Sequence, residues 1–79
     1  MDFSKALEQL KSGDHMRRSG WATAGASIHL MHFTSAPGQP AHLAPCIVWD
    51  VPGRTPQPGW LCSIGDMLAN DWEFANPDT

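Results

Sequence analysis

The sequence predicts an α+β fold: a small antiparallel sheet with an N-terminal helix and a short C-terminal helix, in an oligomeric assembly. Three observations predict it. A helix-periodic segment opens the chain, runs of alternating or continuous apolar residues bounded by Pro and Gly follow, and a second capping signature precedes one last extended run. Strands grouped between helices, rather than alternating with them, favour antiparallel pairing. The 79 residues make one domain, expected over residues 1–74 with residues 75–79 as a flexible tail.

The first helix is read from Phe3, Ala6, Leu7 and Leu10, which fall at i, i+3, i+4 and i+7. Asp2 is placed to cap its start, Lys11 sits in its last turn, and Gly13 suits the position just past its end. Residues 14–21 turn the chain into a first strand, with Met16 toward the helix and Arg17 on the other side, broken at Ser19-Gly20. Residues 22–25 are a small-residue loop. Residues 27–33 read as a strand with apolar side chains on both faces: Ile28 and Leu30 on one, His29, Met31 and Phe33 on the other. Residues 34–45 are rich in Pro, Gly, Ala and Ser and predict a long loop of the kind that often binds or assembles. Residues 46–51, bounded by Pro45 and Pro52, are the strongest strand, with Ile47, Trp49 and Val51 on one face. Residues 52–59 predict a rigid loop presenting Arg54 and Gln57. Ser63 with Asp66 forms a capping box for a short helix through Ile64, Met67 and Leu68, and residues 71–74 extend as a final strand.

Size and composition bound the function. A chain this short buries only about 60% of its unfolded surface. Four Trp and three Phe are a large aromatic load, and seven Pro and seven Gly shorten the elements that must cover it. A homo-oligomer that completes the core between protomers is expected. The net charge of −3 argues against a nucleic acid polymer as partner, because counterion release rewards a basic face. It leaves room for a small phosphorylated ligand in a locally positive pocket. Cys46 and Cys62 form no CxxC pair and are expected to be reduced and packed. No basic-then-apolar leader and no apolar run near 18 residues is present, so we expect a soluble, intracellular protein with no membrane partner.

The usual catalytic signatures are missing. His15, His29, His32, His42, Cys46 and Cys62 are scattered without metal-ligand spacing, so neither a metal nor another cofactor is expected. No nucleophile turn occurs, and no group of residues supplies acid, base and oxyanion roles together. There is no Walker loop and no GxGxxG. Phosphate recognition would rest on Arg17, Arg18 or Arg54, or on backbone donors in Gly-rich turns.

The chemistry concentrates in two short stretches. Arg17-Arg18-Ser19-Gly20-Trp21 joins planar guanidinium forks, a close-approach glycine and an indole on which a base can stack. Asp71-Trp72-Glu73 sets a carboxylate beside a second indole, suited to accept from ribose hydroxyls or base amines. The alternative is plain: a surface Arg pair, Trp21 and Trp72 as core anchors tying the two ends together, and Asp71 as a turn cap. One 8.6 kDa protomer would struggle to enclose a nucleotide, whereas a pocket between protomers would not.

These residues also carry a resemblance. Met1-Asp2-Phe3-x-x-Ala6-Leu7-x-x-Leu10-Lys11-x-Gly13, then Arg18-x-Gly20-Trp21, then Ser63-x-x-Asp66-Met67-Leu68-Ala69-x-Asp71-Trp72-Glu73 resembles the small phage proteins of the Thoeris anti-defence sponge family, second type. The resemblance covers both ends, about half of the chain, and leaves residues 22–59 unaligned. It implies a phage or prophage protein without catalysis, acting in the cytoplasm of the infected bacterial host. Such a protein sequesters the cyclic ADP-ribose-type messenger of a TIR-domain defence system, and some relatives also hold cyclic dinucleotides. It further implies a homotetramer with pockets between protomers.

Carried onto this chain, the resemblance implies that Trp21 stacks on adenine and that Arg18, with Arg17 as second candidate, meets the pyrophosphate. Asp71 would accept from ribose or base, and Trp72 would pack the pocket wall, with Trp60 as a further candidate. Two departures fall near the implied pocket. Ala22-Thr23-Ala24-Gly25 stands where relatives carry Asn-Gly after the Gly-Trp, and Cys62-Ser63 stands where they carry Pro-Ser. The reading of a different class is a phage protein-interaction module that binds a host protein through an aromatic surface.

Overall fold

Nine residues, Phe3–Lys11, coil into the first helix, α1. In the computed structural model, which describes residues 1–31 and 45–75, the Asp2 carboxylate accepts from the Lys5 amide at 2.9 Å. That satisfies one of the donors a helix start leaves open. Past the Ser12 cap the chain leaves through Gly13 at φ 97°, a left-handed conformation that residues with a Cβ rarely adopt.

Five strands follow, interrupted by a second helix. They are β1 (Met16–Arg18), β2 (Ser27–Met31), β3 (Cys46–Asp50), β4 (Gln57–Pro58) and, after α2 (Ile64–Leu68), β5 (Trp72–Phe74). The sheet runs β4-β3-β2-β1-β5, and every neighbouring pair is antiparallel. The last strand therefore lies beside the first. The Met1 amino group donates to the Trp72 carbonyl at 2.8 Å and to that of Asn70 at 3.1 Å, and the Trp72 amide returns to the Met1 carbonyl at 3.1 Å.

Register assigns the faces. Met16 lies opposite Ile28 and Phe74, Arg18 opposite Trp72, and Ile28 opposite Trp49. Since side chains alternate along a strand, these residues share one face and Arg17, Glu73, His29 and Val48 share the other. α1 covers the first face. Ala6, Leu10, Met16, Ile28 and Trp72 form the core there, and Phe3, Leu7, Trp21, Ile47, Trp49 and Trp60 pack around it. Each fully buried Leu, Met or Ile side chain stabilises the fold by roughly 1.5–3 kcal/mol.

The helix limits and the capping box agree with the sequence reading, and the strands expected over residues 14–21, 46–51 and 71–74 are present in shorter form as β1, β3 and β5. The loop expected over residues 52–59 needs a correction, because Gln57 and Pro58 pair with Trp49 and Val48 as the short edge strand β4. Pro58 is tolerated because an edge strand leaves some of its N–H positions without a partner strand. The Gly59 and Trp60 amides then donate to the Ile47 carbonyl at 3.1 and 3.0 Å, which fastens the segment. The expected end of the second strand (32–33) and most of the loop over 34–45 lie outside the described residues. So do residues 76–79 of the expected tail. Ala75, its first residue, donates its amide to the His15 carbonyl at 2.9 Å.

Candidate functional site

All four tryptophans meet in one cluster. Trp21 lies edge-on against Trp49, Trp72 and Trp60, with ring centroids 5.0, 5.4 and 6.3 Å apart. Trp60 also meets Trp72 at 6.3 Å and 89°. Edge-to-face indoles at these separations are a favoured arrangement. Trp72 is 2% exposed, so it belongs to the core. Trp21, Trp49 and Trp60 are half-buried.

On the far side of Trp21 stands a polar clasp. The Arg18 guanidinium donates through Nε to Asp71 Oδ1 at 2.7 Å and through Nη1 to Asp66 Oδ1 at 2.8 Å. Charge-assisted bonds of this length are among the stronger polar contacts in proteins. Trp21 Nε1 donates to the same Asp66 oxygen at 3.2 Å, and Trp72 Nε1 donates to the Asp66 carbonyl at 2.9 Å. Asp66 also completes the capping box of α2. Its amide donates to Ser63 Oγ at 3.0 Å, and its Oδ2 accepts from the Ser63 amide at 3.3 Å. One buried carboxylate thus fixes a helix start, an arginine and an indole.

Asp71 closes the turn after β1. Its Oδ2 accepts from the Gly20 amide at 2.9 Å, and its carbonyl accepts from the Ser19 amide at 3.1 Å. A Cβ at position 20 would come within 2.8 Å of that carboxylate oxygen, so a larger residue there must displace Asp71. The electrostatics follow the bonding. Asp71 is held below the usual carboxylate range, mainly by Arg18. Asp66 is lowered too, although its burial pushes the other way: Arg18, Trp21 and Ser63 together outweigh the desolvation. Arg18 is raised, with Asp71 the larger cause and Asp66 the second.

An open groove of about 350 Å3 borders the indole cluster, lined by Trp49, Gln57, Pro58, Gly59 and Trp60. It is formed because β4 brings Gln57 across from Trp49 and Gly59-Trp60 fold back onto Ile47.

The residues singled out in the sequence are therefore distributed over three places. Arg18, Trp21, Asp71 and Trp72 come together, although about 50 residues separate the two halves of the clasp. Trp60 joins the cluster and lines the groove. Arg17 does not join them. The strand alternation turns it to the opposite face, where its Nε lies 3.3 Å from Glu73. Sequence reasoning missed two members. The sequence assigns Asp66 a capping role and a place in the C-terminal motif, and neither signal points to the arginine and indole it binds. Trp49 was absorbed into a strand face, and its alternation with Ile47 and Val51 was the available signal. Cys46 and Cys62 are both free and half-buried. Among the described residues no three His, Cys, Asp or Glu side chains gather as a metal ion would require. No helix among them is long and apolar enough to cross a membrane.

α2 presents an unusual surface. Ile64 and Leu68 are 77% and 76% exposed, Met67 is 52% exposed, and the preceding Leu61 is 87% exposed. The helix turns its one acidic residue inward and its apolar residues outward.

No curated protein matches the chain closely enough to serve as a relative. A family model does match: the one described as Tad2-like, Thoeris anti-defense 2-like domain, covers residues 1–75 of the 79. That span contains the clasp, the four indoles and the groove. The chain belongs to the Tad2-like family of Thoeris anti-defence domains.

Proposed function

We propose that this protein is a phage or prophage sponge that binds a cyclic ADP-ribose-type signalling molecule and withholds it, without degrading it, in the cytoplasm of the infected host. The observation that carries the reading is the four-indole cluster opening onto a groove whose walls are Trp49 and Trp60. A flat, rigid aromatic wall suits a nucleobase, and base–indole stacking contributes roughly 1–3 kcal/mol per base. The anti-defence family fits a role in which binding alone is enough.

In this reading Trp60 and Trp49 stack on the base, and Trp21 holds both from behind. Asp66 orients Trp21 through its indole N–H, and Trp72 anchors the group in the core. Arg18 does not line the groove; it fixes Asp66 and Asp71 behind Trp21. Its charge is already offset by Asp66 and Asp71, so stacking supplies more affinity than charge does. Arg17 takes no part from its own protomer's opposite face.

The groove is open and sits at the small end of ligand sites, which span about 300–1,000 Å3. A whole cyclic dinucleotide-sized molecule would need a second wall. A homotetramer supplies it, and the exposed Leu61, Ile64, Met67 and Leu68 support association between copies of the chain.

Native mass spectrometry tests the proposal, run with the protein alone and with a panel of cyclic ADP-ribose isomers and cyclic dinucleotides. A tetramer that gains intact ligand mass in discrete steps is the expected result. An oligomer that takes up none of the panel would end the sponge reading and favour a host protein as the partner. Ligand returned altered would make the protein an enzyme.

A further inference from the structure

We infer that Gln57 is the specificity-determining residue of the groove, reading the edge of an adenine ring stacked on its tryptophan wall. The inference rests on the sponge reading and names the chemistry by which that site would choose its base.

The placement comes from the edge of the sheet. Gln57 lies opposite Trp49 in the β3–β4 register, so the two side chains share a face. Both line the groove together with Trp60. Gln57 is exposed, and it stands between Pro56 and Pro58, whose rings fix the backbone φ on either side. The main chain here is further held by the Gly59 and Trp60 amides on Ile47. The main chain carrying Gln57 is thus held beside the indoles, and among the five residues lining the groove Gln57 alone has a side chain with both a donor and an acceptor at its tip.

That pairing selects among bases. A planar ring on the indoles turns an edge toward Gln57. Adenine offers an acceptor at N7 beside a donor at the 6-amino group, which a glutamine amide meets with two parallel hydrogen bonds. Hypoxanthine offers two acceptors there, so one of the amide's two ends always faces a group it cannot bond. Phosphate and ribose need no such paired tip. The groove, at about 350 Å3, holds a nucleoside-sized part of a ligand, and the base is the part its lining suits.

The test uses the full chain with two probes, cyclic ADP-ribose and its hypoxanthine counterpart, titrated by calorimetry. The wild type is expected to hold the adenine form roughly tenfold or more tightly than the hypoxanthine form. Gln57→Ala should weaken the adenine form to about the level of the other and leave the hypoxanthine form nearly unchanged. Gln57→Glu keeps an acceptor and loses the donor, so it should weaken the adenine form as well. Unchanged oligomer mass and circular dichroism would show that both variants fold. If either variant keeps the wild-type preference, or the wild type binds both forms equally, Gln57 does not read the base while the sponge reading stands. If the wild type binds neither form and none of the wider messenger panel, the sponge reading fails and the Gln57 assignment falls with it.

Discussion

The two helices of this molecule are held by opposite means. α1 buries Ala6 and Leu10 completely against the sheet, as its i, i+3, i+4, i+7 pattern requires. α2 buries Asp66 and leaves Ile64, Met67 and Leu68 outside. A short helix with its apolar side facing water would not persist alone. Here the Ser63–Asp66 box, the Arg18 guanidinium and the Trp21 and Trp72 indole N–H groups fasten it from within. α1 is thus a stability element, whereas α2 is the back of the polar clasp and leaves its apolar side exposed.

That contrast can be broken first at α1. Leu10→Ala should cost about 3 kcal/mol, within the range for emptying a closed core site, measured by denaturant unfolding. A cost below 1 kcal/mol would mean that α1 is not the anchor described.

At α2 the corresponding core residue is polar. Asp66→Ala removes a cap and strands the partners Arg18 and Trp21, and should cost about 2–3 kcal/mol. Asp66→Asn keeps the shape and loses the charge, and should fall between that variant and the wild type. Gly20→Ala attacks the same clasp from the opposite side, since its Cβ would collide with the Asp71 carboxylate. It should lower the melting temperature while leaving α1 intact, which amide exchange would report.

Acid separates the clasp from the rest of the sheet. Asp66 and Asp71 have folded pKa values below the ordinary 3.8. The folded state therefore binds fewer protons than the unfolded chain, so their contribution is complete above that value. It is lost as pH falls through the folded values. Asp66→Asn should flatten this step in a stability–pH profile. On the other face of the sheet, His15 and His29 stack with centroids 4.3 Å apart, and His29 Nδ1 lies 3.9 Å from Asp50. Burial, and secondarily His15, lowers the His29 pKa from 6.5. Its protonation opposes folding, so a separate decline should begin as pH drops below 6.5 and disappear in His29→Gln. If Asp66→Asn abolished this upper step instead, the two faces would not titrate independently.

The smallest effect should come from the outer side of α2. Leu68→Ser changes an exposed residue and should shift protomer stability by no more than about 0.5 kcal/mol. For the proposed tetramer its expected effect is on assembly: a lower oligomer mass on dilution, read by sedimentation. An oligomer as tight as the wild type would assign the association surface to another part of the chain.

Much of this architecture was legible locally. The 3.6-residue period gave α1, the Ser-x-x-Asp box gave the start of α2, and Pro45 and Pro52 bracketed β3. Periodicity, capping and proline geometry act within a few residues, which is why one sequence suffices to see them. The family signature was legible for the same reason, as short motifs at both ends. β4 was hidden because its two residues, one of them Pro58, carry no strand period of their own.

The site was legible only in part. Trp21, Trp72, Arg18 and Asp71 could be named, but their meeting depends on β5 pairing with β1 across more than fifty residues. Strand alternation separates Arg17 from Arg18, and that separation was legible locally, with Arg17 on the side away from the helix. The β1–β5 pairing also turns Asp66 from a cap into the centre of the clasp, and the β3–β4 pairing turns Trp49 from a strand residue into a groove wall. The helices, the strands other than β4, the aromatic load and the family could be read from the chain alone, because those depend on local conformational preference, composition and short motifs. Which distant segments become neighbours, and so which charges neutralise one another, is written only in the folded molecule, because β1 pairs with β5 across more than fifty residues and no local pattern names the partner strand.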